Sequence, residues 1–342
     1  MYIFKRRAVL IIICITSFAM IIAACTSVKT PETNGENQTE IQQWPNRISI
    51  AAATPGGGFF MGGSAVATVV NNFIEGVDAV VEITGASQHN VELLQAGEVE
   101  IGLVATDVLW EAYHGKFSFE GQPHDRIRTM MPGWPGVYQF ITLAKYGFDD
   151  VKDFDGKSFS AGPKGSSNEA FCKYVFDLFD VEPIIMNLPS SDAARSLGDG
   201  TIHGFSLAWP APAVTELETT HKLSIITMND EQKKVFQEAY PQYPWLDIPP
   251  GEYETIPDGA HNAGLYNLVC VRSDLDEDFV YEIVKAVYEN ADTVNNTWPQ
   301  MGTGMAFENV QYATAPYHPG AVRYFQEQGV QIPDELIPPE MK

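Results

Sequence analysis

The stretch Pro55-Gly56-Gly57-Gly58-Phe59-Phe60-Met61-Gly62-Gly63 decides the fold. It follows a short apolar run, Ile48 to Ala53, which predicts a buried strand. It precedes Ser64 to Ile74, where apolar residues recur at helical spacing. Glycines let a ligand approach the peptide N–H groups of a helix start, where the helix dipole favours negative charge. The stretch therefore predicts an anion-binding turn, and a turn that only packs helix on strand is the alternative.

The start of the chain has the features of an export signal. A cationic segment at residues 5–7 precedes an apolar run, Ala8 to Ile22, which predicts a secretory signal peptide over residues 1–24. Ile22-Ala23-Ala24-Cys25 is similar to the lipobox of bacterial lipoproteins, in which the cysteine is acylated. We therefore expect a lipid on Cys25 and a disordered polar tether over residues 25–43. An uncleaved membrane anchor is the alternative, because the apolar run is near the lower length limit for a spanning helix.

The composition bears on partners and on domain number. The full chain has a formal net charge of −23, and nucleic acid is excluded as a partner because binding it requires a basic face. From Trp44 to Lys342 about 300 residues remain, more than one hydrophobic core usually supports, so two domains are expected. A disulfide between Cys172 and Cys270 is open to an exported protein, but we expect two small buried hydrophobic residues.

Two further strand and helix units follow the glycine-rich turn. Ala79 to Thr84 and Val99 to Ala105 predict strands, each followed by a polar turn and a helix. Three such units in a row predict a parallel sheet with a ligand crevice at the carboxyl ends of its strands. Ser87, Asn90 and Asp107 lie at this edge, Asp107 as the expected N-cap of its helix. They are candidate ligand-binding residues, with plain turn and cap roles as the alternative.

A second strand, turn and helix unit predicts another anion-binding helix start. Ser158 to Ala161 leads into Gly162-Pro163-Lys164-Gly165-Ser166-Ser167-Asn168 and then into a helix with an apolar face. Lys164 adds a positive charge beside this turn. Further along, the proline-rich stretch Pro241 to Pro257 predicts a long loop without regular structure, and Asp276 to Val294 predicts one long helix.

These motifs resemble the solute receptors of the TAXI family, the extracytoplasmic binding proteins of TRAP transporters. The glycine, double-aromatic, glycine run at residues 57–63 is similar to their opening block. Similar blocks follow in the family's order: Thr84 to Val104 with Asp107, Asp155-Gly156-Lys157, Gly162 to Ser167, Leu197 to Gly200, Pro249 to Tyr253 and Pro316 to Ala321. The resemblance covers Arg47 to Val330.

The resemblance implies an α/β fold of the type II periplasmic-binding-protein class. One lobe would comprise residues 44–139 plus 263–342, the other residues 140–262, with the ligand cleft between them. It implies a receptor that captures a small organic acid or an amino acid, glutamate-like compounds included, and delivers it to a TRAP membrane permease without catalysis or a cofactor. The location would be extracytoplasmic, in the periplasm or on the outer face of the cytoplasmic membrane, with a lipid anchor.

The family's site maps onto residues of both lobes. The candidate ligand-binding residues are Gly58, Phe59, Phe60, Ser87, Asn90, Asp107, Gly165, Ser166 and Ser167, with Lys164 and Trp209 added from their positions. Phe59 and Phe60 stand where tyrosine is common in the family, so two hydroxyl donors are missing here. Asp107 favours a ligand ammonium, which makes an amino acid the preferred ligand over a plain dicarboxylate.

Other functions are less consistent with the sequence. Gly204-Phe205-Ser206-Leu207 is similar to part of a hydrolase nucleophile elbow, but Ala208 stands at its fifth position. The seven histidines show no paired spacing for a metal. The sequence therefore predicts neither a catalytic nor a metal site, and a ligand-sensing lipoprotein or an ABC-type substrate-binding protein is the alternative.

Overall fold

The computed structural model describes residues 44–241 and 243–342, and the predicted signal peptide, Cys25 and tether lie outside these residues. The strands are β1 (Arg47–Ala51), β2 (Asp78–Glu82), β3 (Ile101–Ala105), β4 (Ile127–Val137), β5 (Phe140–Leu143), β6 (Ser158–Ser160), β7 (Ile184–Met186), β8 (Gly204–Ser206), β9 (Leu223–Ile226), β10 (Trp245–Ile248) and β11 (Ala260–Arg272). The α-helices are α1 (Gly58–Phe73), α2 (Ser87–Ala96), α3 (Thr106–His114), α4 (Ser167–Leu178), α5 (Ser190–Gly198), α6 (Pro212–Glu218), α7 (Asp230–Ala239), α8 (Glu277–Glu289), α9 (Ala291–Thr297), α10 (Pro299–Gly304) and α11 (Pro319–Glu327).

The strands form two sheets. In the first the order is β10-β11-β3-β1-β2, with β4 paired to β11. Strands β1, β2 and β3 pair in parallel, as the three consecutive strand and helix units predict, and β11 runs antiparallel to β3, β4 and β10. In the second sheet the order is β7-β6-β8-β5-β9; β6 is parallel to β7 and β8, and β5 is antiparallel to its neighbours.

Each sheet carries its own helices and core. Helices α1 and α8 pack on the first sheet around Ile50, Val66 and Leu103, and together these form the first lobe. The second sheet is covered on both faces: Phe140 packs in a core with α4, while its neighbour Ile141 packs in another core with α5. This alternation follows from the two-residue period of a strand. The sheet and its helices form the second lobe, and the predicted residue boundaries of the lobes stay predictions.

Four sequence predictions differ from the structure. Helix α1 starts at Gly58 rather than Ser64, so Gly62 and Gly63 belong to its first turns and not to the loop. Asp107 is not an N-cap: α3 begins at Thr106, and Asp107 occupies its first turn. The Pro241 to Pro257 stretch contains β10, which pairs with β11. The helix predicted from Asp276 to Val294 breaks at Asn290, whose side-chain amide donates to the carbonyl of Ala286 at 2.8 Å.

Two further findings concern membranes and cysteines. Within the part of the chain that the structure describes, each helix is too short or too polar to cross a membrane. Cys172 and Cys270 are both buried as free thiols. Burial raises the pKa of the Cys172 thiol to about 12, so this thiol stays protonated and packs as a small apolar group.

Candidate functional site

Three helix starts surround one cavity between the two lobes. Helix α1 begins at Gly58 after β1, α4 begins at Ser167 after β6, and α5 begins at Ser190 after β7. All three positions line the cavity. The N-cap residues of α1 and α5 provide no side-chain cap, although the Ser190 N–H of α5 donates to the Thr54 hydroxyl; in α4 the Ser166 hydroxyl accepts from the Glu169 N–H at 3.1 Å. Uncapped helix starts present backbone N–H donors and partial positive charge to the cavity.

The cavity is small and has two kinds of lining. Its volume is about 60 Å³, room for roughly two water molecules. The polar side chains that line it are Thr54, Ser166, Ser167, Asn168, Ser190 and Asn267. The larger apolar side chains that line it are Phe59, Trp134, Leu207, Trp209, Pro210 and Leu265. A site of hydroxyl and amide groups beside aromatic rings suits a small ligand with a polar and an apolar part.

The lobes contact each other at the rim of the cavity. The Ser190 N–H donates to Thr54 Oγ1 at 3.2 Å, and the Ser191 hydroxyl donates to the Pro55 carbonyl at 3.0 Å. Gly56 has a φ of +86°, and a Cβ there would lie 2.3 Å from Ser191 Oγ. A side chain at this position would be strained by the positive φ and would displace the Ser191 hydroxyl, so the glycine favours the close approach.

The candidates from the first lobe divide into two groups. Gly58 and Phe59 line the cavity. Ser87 does not: its hydroxyl accepts from the Ala105 N–H at 3.1 Å. Asn90 is also outside the lining, and its amide donates to the carbonyls of Ala52 and Leu103, both at 2.7 Å. Both side chains fasten α2 to the strands behind the cavity, and a ligand role for them stays a prediction.

Asp107 lies outside the cavity lining, in the interior between α3 and the second lobe. Its Oδ2 accepts a hydrogen bond from the Tyr138 hydroxyl at 2.8 Å. Burial raises the pKa of the Asp107 carboxyl, while the Tyr138 hydrogen bond acts in the opposite direction. The carboxyl thus contacts Tyr138 rather than the cavity, and the expected pairing of Asp107 with a ligand ammonium stays a prediction.

A second buried carboxyl lies one turn further along α3. Glu111 is 1% exposed, and its Oε1 accepts from the Tyr174 hydroxyl of α4 at 3.1 Å. Burial and the nearby Asp107 raise the pKa of Glu111 from 4.5 to about 7. Through tyrosine hydroxyls, Asp107 and Glu111 thus connect α3 to Tyr138, whose ring stacks on Phe171 of α4, and to Tyr174 of α4 itself.

Some of the remaining candidate residues line the cavity and others lie outside it. Ser166, Ser167 and Trp209 line the cavity. Phe60, half-buried, and Lys164, exposed, lie outside the lining. So does Gly165, whose carbonyl accepts from the Gln88 N–H across the lobes at 2.9 Å. In residues 44–241 and 243–342 no group of three His, Cys, Asp or Glu side chains is placed to hold a metal ion.

The family follows from comparison with known sequences. The model of the NMT1-like family matches residues 50–329. The chain belongs to the NMT1-like family. The match covers both sheets and all three helix starts at the cavity, so the family and the candidate site concern the same part of the molecule.

Solved structures share the fold of this NMT1-like protein at low sequence identity. MatC from Rhodopseudomonas palustris, with bound malate, aligns with a TM-score of 0.56 at 12% identity, covering 84% of this chain and 98% of its own. The periplasmic binding protein BugD aligns with a TM-score of 0.53 at 12% identity, covering 85% of this chain and 100% of its own. The predicted two-lobed α/β periplasmic-binding-protein fold is confirmed. The fold is thus the one that periplasmic binding proteins such as BugD have.

Several lining residues of the NMT1-like chain were not among the sequence candidates. Ser190 opens a helix after a strand, as the other two helix starts do, but without the glycines that mark those two. Trp134 on β4 and Asn267 on β11 have no such local signal. The Asn267 amide donates to the Trp134 carbonyl at 3.1 Å, so pairing of two distant strands brings them together. Thr54 immediately precedes the glycine-rich turn and lines the cavity with it.

Proposed function

We propose that this protein is an extracytoplasmic solute receptor that binds a small organic acid and delivers it to a TRAP-type membrane permease. The observation that carries the proposal is the convergence of the starts of α1, α4 and α5 on one cavity. Each helix start contributes backbone N–H donors and roughly half an elementary positive charge. The hydroxyls of Ser167 and Ser190 add further donors. This set of donors suits one carboxylate group.

An organic acid fits the lining better than an amino acid does. The polar side chains in the cavity are hydroxyls and amides, and the Asp107 carboxyl is engaged by Tyr138 outside it. An ammonium group would therefore find only neutral acceptors there, whereas a carboxylate finds the positive ends of helices. The fold relative MatC is described with malate, also a carboxylic acid, bound to it.

The proposals of a permease partner, a lipid anchor and an extracytoplasmic location are based on the sequence. The resemblance to TAXI receptors supports a TRAP permease as partner, and the motif ending in Cys25 supports a lipid anchor. The expected location is therefore the periplasm or the outer face of the cytoplasmic membrane, where a tethered receptor meets both its ligand and the permease.

Calorimetry on the exported protein with acetate, butyrate, malate and glutamate tests the proposal. Ser167→Asp places a carboxylate at the start of α4, and we expect it to weaken binding of the best acid about thirtyfold, from roughly 2 kcal/mol of charge repulsion. Ser167→Asn is the matched neutral control and should bind within about threefold of the unsubstituted protein, because it adds no charge. A ligand at a hundred times its dissociation constant should also add about 2.7 kcal/mol to the free energy of unfolding.

Two results would contradict the proposal. One is that no carboxylic acid of the series binds or raises the melting temperature. The other is that Ser167→Asp binds the best acid as tightly as Ser167→Asn does, since an anion at this helix start must sense the added charge.

A further inference from the structure

A second, larger cavity adjoins the proposed ligand site. It is open to solvent and has a volume of about 380 Å³; we call it the outer cleft, and the 60 Å³ cavity at the helix starts the inner cavity. Trp134, Trp209 and Pro210 line both. These three side chains therefore lie where the inner cavity meets the outer cleft, and we call them the partition.

The outer cleft has a rigid, largely apolar lining. Beyond the partition it is lined by Pro135, Pro249, Pro299 and Tyr266. The Tyr266 ring stacks on Tyr312 at 3.9 Å between centroids, which fixes its position. Proline rings and aromatic faces both offer apolar surface, and proline has no backbone N–H to donate. Such a lining suits an alkyl or aromatic group rather than a second carboxylate.

Two polar groups in the outer cleft sharpen this preference. The Glu252 carboxylate accepts from Trp209 Nε1 at 3.0 Å, so it holds the indole of the partition and places a negative charge at the cleft. A carboxylate on the ligand tail would be repelled there. Gln300 also lines the cleft, and its buried Oε1 has no hydrogen-bond partner among the described residues. A neutral donor such as a ligand hydroxyl would satisfy it.

The inner cavity is too small for more than the head of such a ligand. Its 60 Å³ holds a carboxyl group and a short stem, and any longer chain must extend beyond it. We infer that the ligand is a monocarboxylate with an apolar or aromatic tail, its carboxylate at the helix starts and its tail against the tryptophan partition in the outer cleft. This inference rests on the proposed function and names the class of acid within it.

The affinities for a series of acids distinguish the contributions of the inner cavity and the outer cleft. Calorimetry with acetate, butyrate, 3-phenylpropionate and malate on the unsubstituted protein should show affinity rising with tail size. We expect 3-phenylpropionate to bind at least about tenfold more tightly than acetate, and more tightly than malate. This comparison needs no substitution, so it does not depend on the folding of a variant.

Thr303 offers a matched pair of variants. It lies exposed on α10 at the outer cleft, with its hydroxyl donating to the Pro299 carbonyl at 3.3 Å. Thr303→Trp fills the cleft and should weaken 3-phenylpropionate at least about tenfold while leaving acetate within about twofold. Thr303→Ser keeps the hydroxyl and the small size, and should leave both affinities unchanged.

The outcomes distinguish this inference from the proposed function. If acetate and butyrate bind but 3-phenylpropionate gains nothing, or loses nothing in Thr303→Trp, the tail does not occupy the outer cleft and the inference is overturned while the receptor role stands. If malate binds more tightly than every monocarboxylate, the class of ligand is wrong. If no acid binds, both fail.

Discussion

Replacing Glu111 by glutamine should stabilise the protein at pH 8 and change its stability little at pH 4. The Glu111 carboxyl is buried on α3, with one oxygen accepting from Tyr174 and the other, Oε2, without a partner among the described residues. Its pKa is raised to about 7 by burial and by Asp107. The folded state therefore holds the proton more tightly than the unfolded state, and stability is lost as the pH rises from about 4.5 through 7.

The size of the effect follows from the pKa. A rise from 4.5 to about 7 costs at most about 3 kcal/mol of unfolding free energy once the pH exceeds 8. Relaxation of the protein and water around the charge reduces this, so we expect Glu111→Gln to gain about 2 kcal/mol at pH 8. For about 300 ordered residues that corresponds to a melting temperature raised by roughly 3–4 °C. Glutamine keeps an oxygen acceptor for Tyr174, so the hydrogen bond is retained.

Thermal melts of both proteins between pH 4 and pH 8 measure this difference. Tyr174→Phe is the companion variant: it removes a hydrogen bond that lowers the pKa of Glu111, so its stability should fall more over the same range. The double variant should lose that additional pH dependence, because Glu111 is then absent. A gap between the wild type and Glu111→Gln that stays constant from pH 4 to pH 8 would refute the reasoning, since it would show that Glu111 ionises normally in the folded state.

Three further predictions concern stability. Gly62→Ala should destabilise the protein by about 1–3 kcal/mol, because its Cβ would lie 2.5 Å from the Trp134 ring; an unchanged midpoint in urea, followed by tryptophan fluorescence, would contradict this packing. Asn90→Ala should cost about 2–4 kcal/mol in the same assay, because the Leu103 carbonyl loses the Asn90 donor and the Ala52 carbonyl keeps only the Thr84 hydroxyl; a cost below about 0.5 kcal/mol would disprove it. Burial lowers the pKa of His318 from 6.5 to about 4, so the wild type should lose stability as the pH falls between these values. The variant His318→Asn should lose less stability between pH 7 and pH 4. Equal losses of the two proteins in thermal melts would show that His318 does not cause this pH dependence.

Local patterns in the sequence predict much of the fold. Apolar runs separated by glycine and hydroxyl turns predict the parallel strands β1, β2 and β3 and the helices between them. The errors arise where long-range packing decides. Gly62 lies inside α1, where the Trp134 ring fills the space that a side chain would need. In the sequence this glycine looks like part of a turn, because the packing of a distant tryptophan leaves no local pattern. The break at Asn290 interrupts an apolar pattern that by itself predicts one continuous helix.

The candidate site was predictable in part for the same reason. Gly58 and Ser167 stand at helix starts, a signal contained within a few residues, and both line the inner cavity. Trp134 and Asn267 reach it only because β4 pairs with β11, more than a hundred residues away along the chain. Asp107 follows a strand in the same way, but its carboxyl lies outside the cavity lining and accepts from Tyr138, a contact that depends on packing far along the chain.

The close approach of the glycine-rich turn to α5 bears on the speed of exchange. Gly57 and Ser190 line the inner cavity, and hydrogen bonds from Ser190 and Ser191 to Thr54 and Pro55 hold the two lobes together beside it. In the proposed receptor these bonds close the inner cavity on the side of the glycine-rich turn, so for an acid that leaves on that side lobe separation sets the upper limit of the dissociation rate. Motions of this kind take microseconds to milliseconds. The residence time of the proposed acid would then be governed by movement of the protein, and acids of different affinity would share it whenever opening is the slow step.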